Sequence, residues 1–328
     1  MSTPIARVAA DYVGPQLSEK YCTVAADDGV PIAVRTFGGE SAPLTVVFVH
    51  GHCLRTDSWS FLRDQLLSRW NADTRMVFYD HRGHGESGVA HPSTYTIDQL
   101  GRDLDAVLRA VAPTGPVVLV GHSMGAMVCL AYARLFPEAI GTRVVGVGLI
   151  AGAANGITEV GLGRFLHRYA VNSLQTAVVR APRVMQASKR FSRRIFEPIV
   201  REAQFGTKKV NPRMIAVATA MLNDTPLLTM SSFLGSLIAF DETASLHHLG
   251  SIPALVLAGS ADIVVPFVHS VVLASQLSGS ELVRVEGAGH SVILERAEEV
   301  ALQIVALVNR VCATLTEHGP DPEFAAAS

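Results

Sequence analysis

The feature that most constrains this chain is the sequence Gly-His-Ser-Met-Gly at residues 121–125. An apolar run, Val117–Val120, precedes it, and a run typical of a buried helix, Ala126–Ala133, follows it. A strand that enters a helix through G-x-S-x-G turns so sharply that the serine backbone is strained and its hydroxyl projects from the sheet. Small residues are needed two positions before and after the serine, because strand and helix nearly touch there. The sequence therefore predicts a nucleophile at Ser123.

The composition of the 328 residues favours a large folded unit with a sizeable buried core. Hydrophobic residues make up 49% of the chain and charged residues 17%, which argues against disorder. The formal net charge of −2 gives no general attraction to nucleic acid, so no nucleic-acid partner is predicted. No apolar run approaches about 18 residues, and residues 1–16 lack a secretory pattern. We therefore expect no transmembrane helix and a cytoplasmic location.

Short β-rich runs alternate with helical runs, a pattern typical of an α/β fold with a mostly parallel sheet and helices on both faces. The first two strands, near 21–24 and 31–37, flank an Asp-Asp-Gly turn and predict an antiparallel hairpin at the sheet edge. Six further strands are predicted at Thr45–Val49, Met76–Tyr79, Val117–Val120, Val144–Ile150, Ala254–Ala258 and Leu282–Glu286. Helices are predicted near Trp59–Ser68, Ile97–Val111, Val268–Leu277 and Ala297–Leu315.

One long stretch interrupts this alternation, because residues 151–245 have helix-like apolar periodicity and no clear strand. We therefore expect a core formed by residues 1–150 and 246–315, with an inserted helical cap at 151–245. Residues 316–328 are expected to form a frayed tail. Between Asn155 and Arg213 the chain has twelve Lys or Arg and three Asp or Glu, a formal charge of +9. The rest of the chain then carries about −11, so the predicted cap is strongly basic.

A serine hydroxyl is a weak nucleophile, and it needs a neighbouring base whose tautomer is fixed by a carboxylate. In this strand–turn–helix architecture the chain order is serine, then acid, then histidine, each following a strand. Asp262 follows the strand predicted at 254–258, and His290 lies in a glycine-rich loop after the last predicted strand. The sequence thus predicts a catalytic triad of Ser123, Asp262 and His290. Asp241 is a reserve acid that is better suited to capping a helix.

Acyl transfer develops a negative oxygen that needs backbone N–H donors held in place. One predicted donor is the N–H of Met124, which follows the nucleophile at a helix N-terminus. The second is assigned to the N–H of His52, in the loop after the strand Thr45–Val49, where Gly51 lets the chain turn close to a ligand. His50 is expected to brace this loop.

Four histidines and four scattered cysteines raise the question of a metal site. His50, His52, His81 and His84 do not match the spacing of helical zinc motifs, so no metal is predicted. The cysteines contain no C-x-x-C pair and are expected to be reduced thiols, mostly buried. These cysteines are Cys22, Cys53, Cys129 and Cys312. Nothing in the sequence predicts a bound cofactor.

Several of these motifs together resemble the α/β-hydrolase superfamily over about residues 20–150 and 240–312. The matching segments are His50-Gly51, the run Asp-His-Arg-Gly-His-Gly-Glu-Ser at 80–87, the elbow at 121–125, Gly259–Asp262 with Val265-Pro266, and Gly289-His290. The resemblance implies an eight-stranded sheet and a cap that lines an acyl pocket. It also implies that residues 80–87 are structural and shape the floor of the site.

Members of this superfamily that open epoxides or remove halides carry Asp at the elbow, whereas this chain carries Ser123. The resemblance therefore implies ester, thioester or related acyl chemistry, and the absence of Trp directly after the serine disfavours peptidase activity. We expect a serine hydrolase of carboxylic esters with a lipophilic acyl group. The alternatives are a carbon–carbon bond hydrolase of ring-cleaved diketones, a cofactor-free perhydrolase, and a non-enzymatic ligand-binding protein with this fold.

Part of the predicted cap has the pattern of a basic amphipathic helix. Basic residues share one helical face at Arg180, Arg183, Arg190, Arg194 and Arg201, beside an apolar stripe of Val184, Phe191, Ile195 and Ile199. Pro198 should end or kink this helix. The helix either packs its apolar stripe on the core or lies on an anionic lipid surface. The sequence leaves both interpretations, and the oligomeric state, open.

Overall fold

A computed structural model describes residues 19–70, 74–165, 168–181, 183–185, 201–207 and 210–318. The strands in these ranges are β1 (Lys20–Ala25), β2 (Pro31–Phe37), β3 (Leu44–Val49), β4 (Thr74–Tyr79), β5 (Val117–His122), β6 (Val144–Ile150), β7 (Ala254–Gly259) and β8 (Ser280–Val285). They form one eight-stranded sheet in the order β1-β2-β4-β3-β5-β6-β7-β8. β2 is antiparallel to both of its neighbours, and the other pairs are parallel. The predicted sheet and its edge hairpin are confirmed.

Helices connect the parallel strands, as the alternation predicts. They are α1 (Ser60–Trp70), α2 (Ile97–Val111), α3 (Met124–Leu135), α4 (Arg168–Arg180), α5 (Pro212–Asp224), α6 (Leu227–Ile238), α7 (Val268–Gln276), the single turn α8 (Val292–Glu295) and α9 (Ala297–His318). The limits of α2 match the prediction, and the side chain of Thr96 caps it by accepting from the N–H of Gln99. α9 continues three residues beyond its predicted end at Leu315.

The core consists of two apolar layers, one on each face of the sheet. In β3, Val47 and Val49 face the layer that contains α2 and α3, while Val46 and Phe48 face the layer with α1 and α9. Since both faces are covered, the central strands are apolar throughout, which explains why they read as continuous hydrophobic runs.

One helix, α9, is long and apolar enough over Ala297–Glu317 to cross a membrane, by length and composition alone. Its residues Val300, Ile304, Leu307 and Val311 are fully buried and belong to the core layer beside α1. Core helices of globular proteins have the same length and composition, so this property is weak evidence for a membrane span.

Between β6 and β7 the described residues contain α4, α5 and α6 and no strand. α6 contacts α4, and it also contacts α2 in the core. The division of the chain into core, cap and tail remains a prediction. Of the predicted basic amphipathic helix, the positions Arg190, Phe191, Arg194, Ile195, Pro198 and Ile199 lie outside the described residues, as does the tail from residue 319.

The cysteines differ from the prediction in their burial. All four are free thiols, but Cys53 and Cys129 are buried whereas Cys22 and Cys312 are exposed. Cys22 lies on the edge strand β1, which is mostly exposed, and Cys312 lies on the solvent side of α9. The expectation that most thiols are buried is therefore wrong for half of them.

Candidate active site

Ser123 lies at the turn between β5 and α3, where the sequence places it. Its backbone has φ 55° and ψ −118°, a conformation that non-glycine residues rarely adopt. Such strain costs about 1–3 kcal/mol and persists only where the surrounding structure enforces it. Part of that enforcement is the hydrogen bond from the Ser123 N–H to the carbonyl of Ile150 on β6, at 2.8 Å. The result is a partly exposed hydroxyl above the sheet.

The two glycines of the motif allow β5, α3 and β3 to approach one another. A Cβ atom on Gly121 would lie 2.4 Å from the carbonyl carbon of Gly125. A Cβ atom on Gly125 would lie 1.9 Å from the carbonyl oxygen of Val49. A Cβ atom at these distances would clash with the backbone, so both positions require glycine, as predicted from the sequence.

The structure brings together the three side chains of the predicted triad. His290 Nε2 lies 2.9 Å from Ser123 Oγ, and His290 Nδ1 lies 2.8 Å from Asp262 Oδ2. Asp262 Oδ1 accepts hydrogen bonds from the N–H groups of Val264 and Val265, at 2.8 and 2.9 Å. The carboxylate thus holds the Nδ1–H tautomer of His290, which leaves Nε2 free to accept the hydroxyl proton of the serine.

Asp241, the reserve acid, does not contact His290. It is exposed, and its Oδ1 accepts the N–H of Thr243 at 3.0 Å, at the start of the short 3₁₀ turn Thr243–Leu249. This backbone hydrogen bond lowers the pKa of Asp241. The N-cap residue of this turn is Glu242, which has no side-chain cap hydrogen bond, so the predicted capping role of Asp241 is wrong and its carboxylate only supports the entry to the turn.

His122 supports His290 in a way that the sequence analysis misses. Its Nε2–H donates to the carbonyl oxygen of His290 at 2.9 Å. Burial, together with the nearby charge of His290, lowers the pKa of His122 to about 3, so the ring is neutral near pH 7. His122 fills the variable position between Gly121 and Ser123, and a G-x-S-x-G pattern carries no signal for its identity.

Glu295 and the segment 204–207 hold the loop of His290 from both sides. The Gly289 N–H donates to Glu295 Oε2 at 2.8 Å, and the carboxylate of Glu295 accepts two N–H groups of the segment, each at 3.2 Å. After His290, the Ser291 N–H donates to a carbonyl of the segment at 2.8 Å. Glu295 has no role among the predictions from the sequence, although a single acid in the otherwise apolar turn α8 indicates a buried carboxylate with hydrogen-bond partners.

The loop after β3 lies against Ser123, as the predicted oxyanion role of His52 requires. A Cβ atom on Gly51 would lie 3.1 Å from the Cβ of Ser123. Within the described part of the chain, no protein acceptor is found for the N–H of His52 or for that of Met124, the first residue of α3. The next residue, Cys53, has φ 60° and donates its N–H to His84 Nε2 at 3.2 Å, which fixes the orientation of the loop.

The buried histidines next to this loop use their ring nitrogens for backbone contacts. His50 Nδ1–H donates to the Gly51 carbonyl at 2.8 Å, and His50 Nε2 accepts the His81 N–H at 2.9 Å. His50 therefore braces the loop, as predicted. Burial lowers the pKa of His50 well below its usual value, and that of His81 to about 3. Among the described residues, no three His, Cys, Asp or Glu side chains are grouped as metal ligands.

Residues 80–87 have structural contacts, as the resemblance implies. Asp80 is buried and accepts the N–H groups of Thr56 and Glu86, at 2.7 and 2.8 Å. Arg82 is fully buried and forms a bidentate pair with Asp103, with both nitrogen–oxygen distances at 2.6 Å. The same guanidinium binds Asp28 at 2.7 Å. Although burial opposes its charge, the hydrogen bonds with both aspartates raise the pKa of Arg82.

A narrow cleft opens beside His52 between the loop after β3 and the region before β7. Its apolar lining comes from Leu54, Phe205, Ile215, Ala218 and Leu222, and its lining also includes Cys53, Arg201, Gln204 and Thr219. The cleft therefore places apolar side chains next to one of the two candidate oxyanion donors.

Comparison with known proteins places this geometry in a family. The model of the alpha/beta hydrolase family matches residues 46–303. The chain is 28% identical over 280 residues to the dihydrolipoyllysine-residue acetyltransferase component of the acetoin cleaving system of Pseudomonas putida, covering 83% of this chain and 65% of that protein. The chain thus spans less than two thirds of this relative. It is also 23% identical over 296 residues to the proline iminopeptidase PfmaB of Pestalotiopsis fici, covering 84% of this chain and 95% of that protein.

Solved structures with the same fold cover most of the chain. A thermophilic esterase from Thermogutta terrifontis matches with a TM-score of 0.71 and 24% identity, covering 89% of this chain and 99% of that one. The enol-lactonase from Burkholderia xenovorans matches with a TM-score of 0.69 and 21% identity, covering 88% and 100%. These likenesses show the fold, and the family match spans well over half of the sequence. The chain belongs to the alpha/beta hydrolase family.

Proposed function

We propose that this protein is a serine hydrolase that cleaves carboxylic esters through an acyl-enzyme. The observation that carries the proposal is the continuous hydrogen-bonded line from Asp262 through His290 to Ser123, with distances of 2.8 and 2.9 Å. A carboxylate, an imidazole and a hydroxyl in this order activate the hydroxyl as a nucleophile.

In the proposed reaction, His290 Nε2 takes the proton of Ser123 as its oxygen attacks the ester carbonyl carbon. The same proton then passes from His290 to the departing alcohol, and the acyl group stays on the serine. A water molecule, deprotonated by His290, attacks the acyl carbon; the bond to Ser123 Oγ then breaks, His290 returns the proton to Oγ, and the carboxylic acid is released. Asp262 stabilises the imidazolium formed in each step and keeps the ring in its productive orientation.

Two backbone groups are suited to stabilise the oxyanion of each tetrahedral intermediate. The Met124 N–H lies at the N-terminus of α3, where the helix dipole favours negative charge. The His52 N–H lies in the loop that contacts Ser123 through Gly51. Loss of one such donor typically costs about 2.7–4 kcal/mol of transition-state stabilisation.

The cleft beside His52 supports a lipophilic acyl group as the substrate moiety. Its side chains at Leu54, Phe205, Ile215 and Leu222 are apolar, and the cleft has a volume of about 30 Å³ in this structure, so it must widen to remove a longer acyl chain from water. Similar folds named as an esterase and an enol-lactonase are compatible with ester chemistry on this scaffold.

Labelling with a fluorophosphonate probe tests the nucleophile. We expect the wild-type protein to be labelled and Ser123→Ala to remain unlabelled, because the probe forms a bond with the activated hydroxyl. Ser275→Ala, a change at an exposed serine on α7, is the matched control and should be labelled like wild type. Equal labelling of wild type and Ser123→Ala would show that another residue is the nucleophile.

A series of nitrophenyl esters of increasing acyl length tests the substrate class. We expect kcat/KM to rise with the length of the acyl chain until the apolar cleft is filled. Turnover of ring-cleaved diketones with negligible cleavage of every ester would instead favour carbon–carbon bond hydrolysis. Ligand binding without turnover of either class would favour a binding protein.

A further inference from the structure

The outer side of α4, together with the helical residues 183–185 that follow it, exposes apolar and basic side chains next to one another. The helix packs inward through the buried Val171 and Val178 and contacts α6. α4 ends at Arg180, and a new helical turn begins after the bend at Ala181, since the N–H of Met185 donates to the carbonyl of Ala181 at 3.0 Å. The solvent side carries Tyr169, Val179, Arg180, Arg183 and Val184, which we call the α4 surface.

Three large apolar side chains of the α4 surface are unusually exposed. The exposed fractions are 88% for Tyr169, 61% for Val179 and 68% for Val184. Within α4, Tyr169 and Arg180 are eleven residues apart, about three helical turns, so they lie on the same side of the helix. Exposed apolar residues alone are ordinary, and α7 also exposes Val268, Val271 and Val272, but the α4 surface combines its apolar residues with two exposed arginines.

The charge of this region indicates an anionic partner. Arg180 and Arg183 are exposed on the same surface, and neither forms an ion pair within the part of the chain that the structure describes. The sequence has eight Lys or Arg and no Asp or Glu between residues 160 and 196. A chain with a net charge of −2 thus concentrates positive charge in one segment of its sequence.

We propose that the α4 surface docks on an anionic lipid bilayer. A bilayer offers both features that this surface matches, because anionic headgroups attract the arginines while the interfacial region takes up aliphatic and aromatic side chains. Tyrosine is suited to this boundary, since its ring is apolar and its hydroxyl stays in the polar layer. A nucleic acid would pair with the arginines but would give Val179 and Val184 no apolar environment.

The α4 surface lies close in sequence to residues that contact the loop of Asp262. The turn before α4 contains Leu162, whose N–H donates to the carbonyl of Ile263 at 2.8 Å. Leu162 and Ile263 are themselves exposed apolar residues, as is Val160. The proposed docking does not depend on which reaction the candidate active site performs.

Vesicle binding by the full-length protein tests this proposal. Wild type should co-sediment with phosphatidylcholine vesicles that contain phosphatidylglycerol and not with pure phosphatidylcholine, and salt should weaken the binding. The double change Arg180→Gln and Arg183→Gln should lower the partition coefficient roughly 10- to 30-fold. Tyr169→Ser and Val184→Ser should each lower it severalfold without removing the preference for anionic lipid.

Two control variants separate docking from general effects. Arg109→Gln removes an exposed arginine of α2 that is paired with Asp105, and Val89→Ser removes an apolar residue that is 70% exposed elsewhere. Both should bind vesicles like wild type. All the substitutions are on the surface, so unchanged thermal unfolding is expected and identifies any misfolded variant.

Three results would overturn the proposal. One is equal binding of wild type to neutral and anionic vesicles, and another is an equal loss of binding in the α4 and control variants. The third is a wild-type dimer that Tyr169→Ser and Val184→Ser convert to a monomer, because the α4 surface would then be a contact between two copies of this chain.

Discussion

Two buried aspartates of this protein, Asp103 and Asp262, each pair with a basic side chain but in different surroundings. Asp103 binds the fully buried guanidinium of Arg82, which remains charged throughout the accessible pH range. Asp262 binds the imidazole of His290, whose other nitrogen faces the partly exposed hydroxyl of Ser123. One pair therefore fixes a permanent charge inside the fold, whereas the other orients a ring that can gain and lose a proton.

The contrast shows that burial of a carboxylate does not by itself distinguish a structural ion pair from a candidate catalytic pair. Both aspartates accept several hydrogen bonds and both lie almost entirely away from solvent. The two pairs differ in the basic side chain, Arg82 or His290, and in the group that this side chain contacts on its other side. The same substitution at the two positions should therefore affect different properties of the protein.

Asp262→Asn should have the largest effect, a fall in kcat on the order of 10⁴-fold. The amide oxygen can still accept the N–H groups of Val264 and Val265, but its NH₂ group would face His290 Nδ1 and favour the wrong tautomer. Ester hydrolysis and chemical denaturation, measured together, should show lost activity with nearly unchanged stability. A variant with near-normal kcat would remove Asp262 from the mechanism.

Asp103→Asn should instead lower the free energy of unfolding by about 1–3 kcal/mol, because Arg82 loses its buried bidentate carboxylate and keeps only the ion pair with Asp28. Activity per folded molecule should stay close to wild type. Urea unfolding with active-site titration measures both quantities. A selective loss of activity with intact stability would contradict the structural role of this pair.

His122→Phe should reduce kcat by up to about 10²-fold, because the His290 carbonyl loses its donor and the ring of His290 shifts. KM should change much less. His122→Gln, which keeps an N–H donor, should recover part of the rate. Equal kcat in both variants would show that this hydrogen bond does not position the base.

Lowering the pH should destabilise the protein through its buried histidines. Burial lowers the pKa of His52 and His81 to about 3 and that of His84 to about 4, whereas the unfolded chain titrates near 6.5. The unfolded state therefore binds more protons between pH 6.5 and about 4. Stability is complete above this window and falls within it as pH falls, by at most about 1.4 kcal/mol per pH unit for each histidine.

Urea unfolding between pH 6.5 and about 4.5 measures this dependence. His84→Gln should reduce the slope by one histidine, while His91→Gln, at an exposed position, should leave the slope unchanged. A flat profile for wild type would show that these rings are already protonated, or accessible to protons, in the folded protein.

The strands and the three aligned side chains could be predicted because their signals are local. Strands buried on both faces read as apolar runs, and the positions of Ser123, Asp262 and His290 follow from the order of strands and loops. Gly121 and Gly125 likewise indicate that strand and helix approach closely at the turn. Each of these features depends on a short segment of the chain, so its sequence pattern is enough to predict it.

The supporting contacts could not be predicted, because they join segments that are distant in the chain. Asp28 and Asp103 meet at Arg82 from two different parts of the chain, and nothing local marks either as its partner. His122 and Glu295 act through backbone groups of the His290 loop, so their roles depend on tertiary packing alone. The exposure of Cys22 and Cys312 depends likewise on which face of an element is covered.

The His290 loop is hydrogen-bonded to the segment 204–207, so a displacement of this segment would also shift His290. A molecule that pushed this segment aside on its way to Ser123 would break the bonds on both sides of the imidazole and misalign the proton acceptor. If the proposed function holds, a good substrate leaves residues 204–207 in place, and a bulkier molecule that displaces them is a poor substrate because His290 shifts.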